Sequence, residues 1–302
     1  MRVIVTGATG FIGGALVRAL LARGDTPVAL TRNVEKARKR LPPGVEAVQW
    51  DARDEGSWME VFNSADGIVN LAGEPAFTKP WTARQKQRIR QSRIDVTEAV
   101  VNAIGKANSR PSVLVNGSGM DYYGSQGSTV LTEESPSGNT FLAGVVREWE
   151  AAAMKAEEFG VRVVFIRTSI VLGRQGGVLP LASLPFRFFM GGVIGGKQWV
   201  SWIHIDDEVA LIIYALTHDD IRGPINAAAP NPVPMSVFSK EIGRTLHRPV
   251  WAPVPTRVLR TVLGEQANVI LGSIRVQPKV AQDAGYRFQY PELEAALHEA
   301  LD

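Results

Sequence analysis

Cysteine is absent from all 302 residues. That excludes disulfides, thiolate metal sites and a thiol nucleophile, and it fits a reducing compartment, so a cytoplasmic location is the expectation. Histidine is scarce too. His204, His218, His247 and His298 are scattered without metal-ligand spacing, and no metal is expected. Neither sign of charge dominates: 33 basic against 30 acidic residues leaves +3, which gives no reason to expect nucleic-acid binding. The densest basic run, "RQKQRIRQSR" from Arg84 to Arg93, divides its charges between two sides of a helix, as a solvated helix does. The chain also lacks an uninterrupted apolar span. The tract from Val178 to Gly196 approaches the required length, but Pro180, Pro185, Arg187 and two Gly-Gly pairs break it. It reads as a mobile hydrophobic loop beside a binding cleft, with no membrane association. The opening "MRVIVTGATG" runs straight into a strand and a glycine turn and shows no targeting segment. "VNGSGMD" does not supply the G-x-S-x-G spacing of a serine hydrolase.

What is present is a rhythm of short apolar strands and amphipathic helices. Strands are expected over residues 2–6, 27–31, 45–50, 67–73, 111–118 and 161–169. Helices are expected over 12–23, 34–41, 58–63, 82–107 and 141–159. Strands that are apolar nearly throughout and alternate with helices indicate a parallel sheet covered on both faces. The fold class is therefore α/β, a doubly wound, Rossmann-like parallel sheet with a smaller C-terminal substrate lobe. Residues 1–170 form the nucleotide-binding domain, with 205–228 returning to it, and 171–302 supply the smaller lobe.

"VTGATGFIGGAL" sets Gly7, Gly10 and Gly13 between the first strand and the first helix. A tight turn, a close approach to a pyrophosphate and close helix–strand packing each exclude a Cβ, and the helix N-terminus offers free amides to phosphate. Thr6, Gly7, Thr9, Gly10, Phe11, Ile12 and Gly13 are the candidate contacts. The second strand ends in Thr31 and Arg32, with Lys36 and Arg38 close behind, where NAD-selective proteins usually carry an acid. A guanidinium suits a 2′-phosphate, so the expected cofactor is NADP, with NADPH preferred over NADH.

"TGATGFIG", "WDARD", "NLAG", "YYG", "FIRTSIVLG" and "WIHIDDEVALI" occur in an order that resembles the extended short-chain dehydrogenase/reductase superfamily, in its epimerase/dehydratase branch. "REWEAAA", "GGKQWVSWIHIDD", "INAAAPNPV", "LHRPV…PVP" and "QPKVAQDAGYRFQYPELEAAL" look more narrowly like its atypical epimerase-family oxidoreductases, which end in a short domain without an established function. The resemblance runs nearly end to end. It implies that Asp51 and Ala52 touch adenine and that Leu71, Ala72 and Gly73 pass the ribose and pyrophosphate. It places Arg167, Thr168, Ser169 and Ile170 beside the nicotinamide. Ser118 lies at or next to the catalytic Ser/Thr, a role shared ambiguously with Gly119, and Asp206 and Asp207 match a motif that fixes the returning chain.

The superfamily's Tyr-x-x-x-Lys pair is missing. Registering Glu150 on the glutamate that follows the pair puts Leu142 at the tyrosine position and Val146 at the lysine position. Neither side chain exchanges a proton. Ser118 and Tyr122 are the candidate replacements, although a tyrosine before glycine also packs and caps such a turn. Lys197, Gln198, Trp199, Trp202 and His204 form a candidate substrate loop, with Trp202 and His204 alternatively ordinary strand positions beneath it. Three functions stay open: an NADP-dependent oxidoreductase on an unidentified small molecule, a non-catalytic NADP-binding sensor or scaffold, and a sugar-nucleotide epimerase. A homodimer through the two long helices is the expectation by analogy.

Overall fold

The computed structural model describes residues 1–52, 55–251 and 254–301. Arg53 and Asp54 of "WDARD" and Pro253 of "PVP" lie outside the described residues. In chain order the elements are β1 (Arg2–Thr6), α1 (Phe11–Ala22), β2 (Thr26–Thr31), α2 (Val34–Arg38), β3 (Glu46–Gln49), β4 (Gly67–Asn70), α3 (Ala83–Lys106), β5 (Val113–Gly119), β6 (Val130–Leu131), α4 (Phe141–Met154), β7 (Arg162–Thr168) and β8 (Ile170–Leu172). They continue with α5 (Leu179–Arg187), β9 (Trp199–Val200), β10 (Trp202–His204), α6 (Ile205–Thr217), β11 (Gly223–Ala227), β12 (Val233–Pro234), α7 (Met235–Thr245), α8 (Thr256–Leu263), α9 (Ala267–Ile270), β13 (Arg275–Val276), α10 (Lys279–Asp283) and α11 (Leu293–Leu301).

Seven strands make one sheet in the order β11-β7-β5-β4-β1-β2-β3, every pair parallel. A strand buried on both faces has no polar side to show, which is why β1, β4, β5 and β7 read as apolar runs. One core packs α1 and α6 onto the sheet through Leu16, Leu20, Leu211 and Ile212; another packs α3 on the opposite face through Val100 and Ile104. The chain leaves the sheet after β7, crosses to the smaller lobe, and re-enters it through α6 and β11.

Local chemistry sets the ends of the long helices. Thr82 caps α3 by accepting from Gln85 N at 3.2 Å, and Thr140 caps α4 by accepting from Ala143 N at 3.1 Å. Beyond α4 a 3₁₀ stretch, Lys155–Phe159, stops at Gly160, whose φ of +79° is a left-handed cap.

The smaller lobe has its own core, in which Trp202 and Leu172 meet Phe186, Phe238 and Leu297. Contrary to the loop expectation, Leu179–Arg187 is helical. Pro180 sits in the first turn, where the missing N–H is harmless, and burial of Leu179 and Phe186 outweighs Pro185 in the interior. Among the described residues no helix is long and apolar enough to cross a membrane.

Candidate functional site

The site is built outward from the turn after β1. Gly7 has φ +68°, and a Cβ there would stand 2.9 Å from the Leu71 carbonyl carbon. A Cβ on Gly13 would stand 2.3 Å from Gly7 O, so α1 can lie this close to the turn only with glycine at that position. Gly10 N donates to Gly7 O at 2.9 Å and closes the turn. No side chain caps the N-terminus of α1, and its first turn carries no acid, so its leading amides and the dipole face outward for an anion. Thr9 is half-buried and Gly10 exposed on this rim, with Ile12 half-buried behind them. Phe11 packs under the loop after β8, where a Cβ on Gly176 would stand 2.6 Å from its ring.

Thr6 works from inside this cradle. It is fully buried; its hydroxyl donates to Asn70 Oδ1 at 2.6 Å and accepts from the Leu71 and Ala72 amides, each at 3.1 Å. Asn70 in turn donates to Thr97 at 2.9 Å and to Asn116 at 2.7 Å, and Trp149 Nε1 donates to Thr97 at 2.9 Å. The network ties β1, β4 and β5 to α3 and α4, and holds the exit of β4 against the glycine turn. Sequence reasoning missed it. The available signal was an asparagine inside each of two apolar strands, "GIVN" and "VLVN".

At the end of β2, Thr31 is half-buried and Arg32 exposed, and Arg32 makes no ion pair among the described residues. Asn33 Oδ1 caps α2 by accepting from Lys36 N at 2.8 Å, while Arg38 pairs with Glu35 at 3.2 Å. Asp51 is exposed beyond β3, and Ala52 takes a left-handed φ of +64°, uncommon for a residue with a Cβ. Leu71 and Ala72 are half-buried, and Gly73 lies over Arg93, whose Cγ would be 3.2 Å from a Cβ there.

Behind the ends of β5 and β7 lies a buried ionic cluster. Arg167 Nε and Nη2 donate to the two carboxylate oxygens of Glu150, each at 2.9 Å. Ser118 Oγ donates to the same carboxylate at 2.6 Å. Arg167 also donates to Tyr123 OH at 3.0 Å, and Tyr123 donates to Asn226 on β11 at 2.7 Å. Burial disfavours the charge on Arg167, but the hydrogen bonds to Glu150 win and raise its pKa further. Burial pushes the Tyr123 phenol up to about 12.

Several candidate residues are thereby engaged. Ser118 is not a free hydroxyl but part of the Glu150–Arg167 cluster. The Tyr122 ring stacks on the Arg167 guanidinium, 3.5 Å from centroid to Cζ, and so packs as a structural tyrosine does. The side chains of the β7 exit turn inward: Arg167 to Glu150, Thr168 Oγ1 to Glu208 at 2.7 Å, and Ser169 Oγ to Ala227 O at 2.7 Å. Ile170 is half-buried in β8, paired with Trp202. The β7 exit therefore offers a ligand backbone rather than side chains. Leu142 and Val146 are buried on α4, each 6% exposed.

The residues of the candidate substrate loop are engaged as follows. Trp202 and His204 are strand residues of β10, 0% and 2% exposed. Two apart in a strand, they share one face, and the intervening Ile203 is buried on the other, so β10 is covered on both faces. His204 accepts from Asp206 N at 3.3 Å as the cap of α6, and burial lowers its pKa. Gln198 folds back on its own loop, accepting from Gly196 N at 2.7 Å and donating to Ile194 O at 2.9 Å. Trp199 carries the Arg275 guanidinium 4.0 Å above its ring, and Lys197 is exposed. A cavity of about 240 Å³ opens elsewhere, between the β5 exit, the start of α4 and α9. None of the five loop residues lines it; Trp81, Asp121, Phe141, Leu142, Asn268 and Ile274 do. Among the described residues no cluster of His, Asp or Glu could hold a metal.

A seven-stranded parallel sheet with a glycine turn and an uncapped helix at the carboxyl end of its first strand defines a Rossmann-like nucleotide-binding protein. The chain belongs to the NAD dependent epimerase/dehydratase family, whose model matches residues 3–228, and a domain of unknown function, DUF1731, matches 254–300. It is similar to the chloroplastic epimerase family protein SDR39U1 homolog of Arabidopsis thaliana, 43% identical over 98% of this chain and 86% of that protein. The epimerase family protein YfhF of Bacillus subtilis is 39% identical over 100% and 98%. Among solved structures, human epimerase family protein SDR39U1 (isoform 2) with NADPH has a TM-score of 0.88 at 34% identity, covering 99% of both chains. A UDP-glucuronic acid 4-epimerase from Bacillus cereus, at 17% identity and TM-score 0.77, shares the fold.

Proposed function

We propose that this chain binds NADP(H) and acts as an oxidoreductase on a small molecule without the Tyr-x-x-x-Lys pair of its superfamily. The observation that carries the reading is the exposed Arg32 at the end of β2, unpaired among the described residues and next to an uncapped glycine cradle. A guanidinium there suits a 2′-phosphate, and the similarity to a human protein solved with NADPH supports the same choice. The residues fit the cofactor. The turn from Gly7 to Gly13 would hold the pyrophosphate, Asp51 and Ala52 the adenine, Leu71 to Gly73 the ribose side, and the backbone of Thr168 to Ile170 the nicotinamide. When bound, the cofactor supplies or accepts a hydride. Residues 1–170 with 205–228 form the cofactor unit in this reading, and the remainder is the substrate lobe.

A second reading, a non-catalytic NADP(H) sensor, is favoured by one observation: Ser118 is engaged by Glu150, and Leu142 and Val146 are apolar and buried. A sugar-nucleotide epimerase has less support, because epimerisation needs proton exchange in both directions. The test is thermal unfolding with each nucleotide. NADPH is expected to raise the melting temperature well above the effect of NADH, and Arg32→Asp to shrink or reverse the difference. Equal protection by the two nucleotides would sink the NADP(H) assignment.

A further inference from the structure

We propose that Asp121 is the proton-exchanging residue of this protein, and that the 240 Å³ cavity it lines takes a small uncharged carbonyl or alcohol compound. The inference rests on the oxidoreductase reading above.

Asp121 follows β5 directly, in the 3₁₀ turn Met120–Tyr123. A Cβ on Gly119 would stand 3.7 Å from Asp121 Oδ2 and 3.9 Å from Val146 Cγ2. The carboxylate thus lies across from the very turn of α4 that lacks a polar side chain, and Leu142, one turn away, forms a wall of the same cavity. Beyond its own backbone amide, the carboxylate has no hydrogen-bond partner and no ion pair within 4.0 Å among the described residues. That separates it from Ser118, Glu150 and Arg167, which saturate one another.

The surroundings suit proton exchange. Burial pushes the Asp121 carboxyl up to about 6, against the pull of Arg93. Arg93 is fixed by donating to Glu74 O at 3.1 Å and Ile89 O at 2.8 Å, and it also backs Gly73 at the β4 exit. It therefore links the cofactor cradle to the cavity. Glu265, on the lining of the same cavity, is held by Lys86 of α3; Glu150 of α4 and Arg167 of β7 are paired with each other, Glu148 with Arg90, and Arg147 and Arg162 donate to backbone carbonyls. A carboxyl near pH 6 populates both protonation states around neutrality, as an acid–base group needs.

The same surroundings select the substrate. Trp81, Phe141, Leu142, Val269 and Ile274 make the walls largely apolar, and Glu265 on the same lining is paired with Lys86. That combination disfavours an anion. A volume of about 240 Å³ lies below the roughly 300–1,000 Å³ usual for drug-sized ligands, which suits a small compound. In the reductive direction the carbonyl carbon accepts the hydride that NADPH supplies, and the carbonyl oxygen takes the Asp121 proton. A C–H and an O–H bond form while the carbonyl π bond and the carboxyl O–H bond break. The carbonyl is reduced, the nicotinamide is oxidised, and solvent returns a proton to Asp121.

The test uses N-formylpiperidine, a neutral formamide with no N–H of its own, as the carbonyl mimic and cyclohexanecarboxylate as an anionic counterpart, titrated calorimetrically into the full chain saturated with NADPH. Because only the protonated carboxyl donates to the mimic, its affinity is expected to fall about a hundredfold between about pH 5 and pH 8. In Asp121→Asn it is expected to be flat with pH, and at about pH 7 and above, where the counterpart is fully ionised, the carboxylate is expected to bind more weakly than the formamide. Binding of the formamide that is absent, flat with pH in the parent, or equally steep in Asp121→Asn overturns the proposal. An independent arm needs no nucleotide: carboxyl ¹³C NMR of the parent should show a resonance titrating near pH 6 that Asp121→Asn lacks. Its absence also overturns the proposal. NADPH protection is measured in both proteins, so failure of the cofactor reading is seen separately from failure at Asp121.

Discussion

At the scale of single residues, two glycines and one arginine shape the turn after β1 and the end of β2. Gly7 is needed for its φ of +68° and Gly13 for the space between α1 and the turn, where a Cβ would meet backbone rather than a side chain that can move aside. Gly13→Ala is therefore expected to push α1 off the turn and lower stability by about 1–3 kcal/mol, the usual cost of overpacking. It should also abolish thermal protection by NADPH, because the leading amides of α1 would no longer converge. Thermal unfolding with and without nucleotide checks both; a normal melting temperature with full protection would show that the close approach is unimportant. Arg32 has a different character. It is exposed, so replacing it should alter nucleotide preference while leaving the fold intact.

At the scale of elements, α6 buries a carboxyl whose charged form the fold disfavours. Glu208 is fully buried, accepts one hydrogen bond from Thr168, and leaves Oε2 without a partner. Burial pushes its carboxyl up to about 8, despite the Thr168 hydrogen bond that lowers it. The folded value is raised, so the native state retains a proton that the unfolded chain releases. Stability from this group is full below the ordinary glutamate range, falls as pH rises from there to about 8, and then levels. The slope is on the order of 1.4 kcal/mol per pH unit at most. Glu208→Gln should remove it, so the variant's advantage over the parent in urea unfolding should grow between about pH 5 and pH 8. An advantage that does not change with pH would mean that Glu208 ionises freely in the native state. The Glu150–Arg167 pair presents a different case: bidentate and further hydrogen-bonded to Ser118 and Tyr123, it joins α4 to β7.

The same scale shows which parts of the site could be seen beforehand. The glycine turn and the β-strand exits were legible because local backbone geometry demands particular residue types at fixed spacing. The partners of the loop residues were not. Lys197, Gln198 and Trp199 look like binding residues in one dimension, yet Gln198 satisfies its own loop and Trp199 pairs with Arg275 from the C-terminal segment. Asp121 carried no local signal either, since what sets it apart is Leu142 and Val146 on another element and Arg93 on a third.

At the scale of the whole molecule, Asp207 latches the C-terminal segment to the sheet domain. Its carboxylate accepts from Gln289 N at 2.7 Å, Tyr290 N at 2.8 Å and Tyr286 OH at 3.3 Å. Tyr286 and Phe288 beside that latch pack against the sheet's own core. Asp207→Ala leaves two backbone amides without their acceptor and is expected to cost about 1–3 kcal/mol each where they stay buried. Limited proteolysis should then cut first near residues 286–290 while the sheet domain stays intact. Cutting at an unchanged rate would show that packing alone holds the segment. Since Asn268 and Ile274 from the C-terminal third line the cavity, such a variant should weaken ligand binding there more than nucleotide binding.

By itself the sequence determined the sheet, the glycine cradle and the absence of an obvious proton relay on α4. These follow from periodicity, backbone sterics and residue chemistry, which act over a few neighbouring positions. The tertiary structure decided which polar groups remain available. Ser118, Arg167 and Thr168 are consumed by partners 17 to 40 residues away, and the cavity is closed by a segment more than a hundred residues beyond Asp121. Hydrogen-bond saturation and burial depend on those distant partners, so no local pattern could have shown that Asp121 stays unpaired where the chemistry needs it.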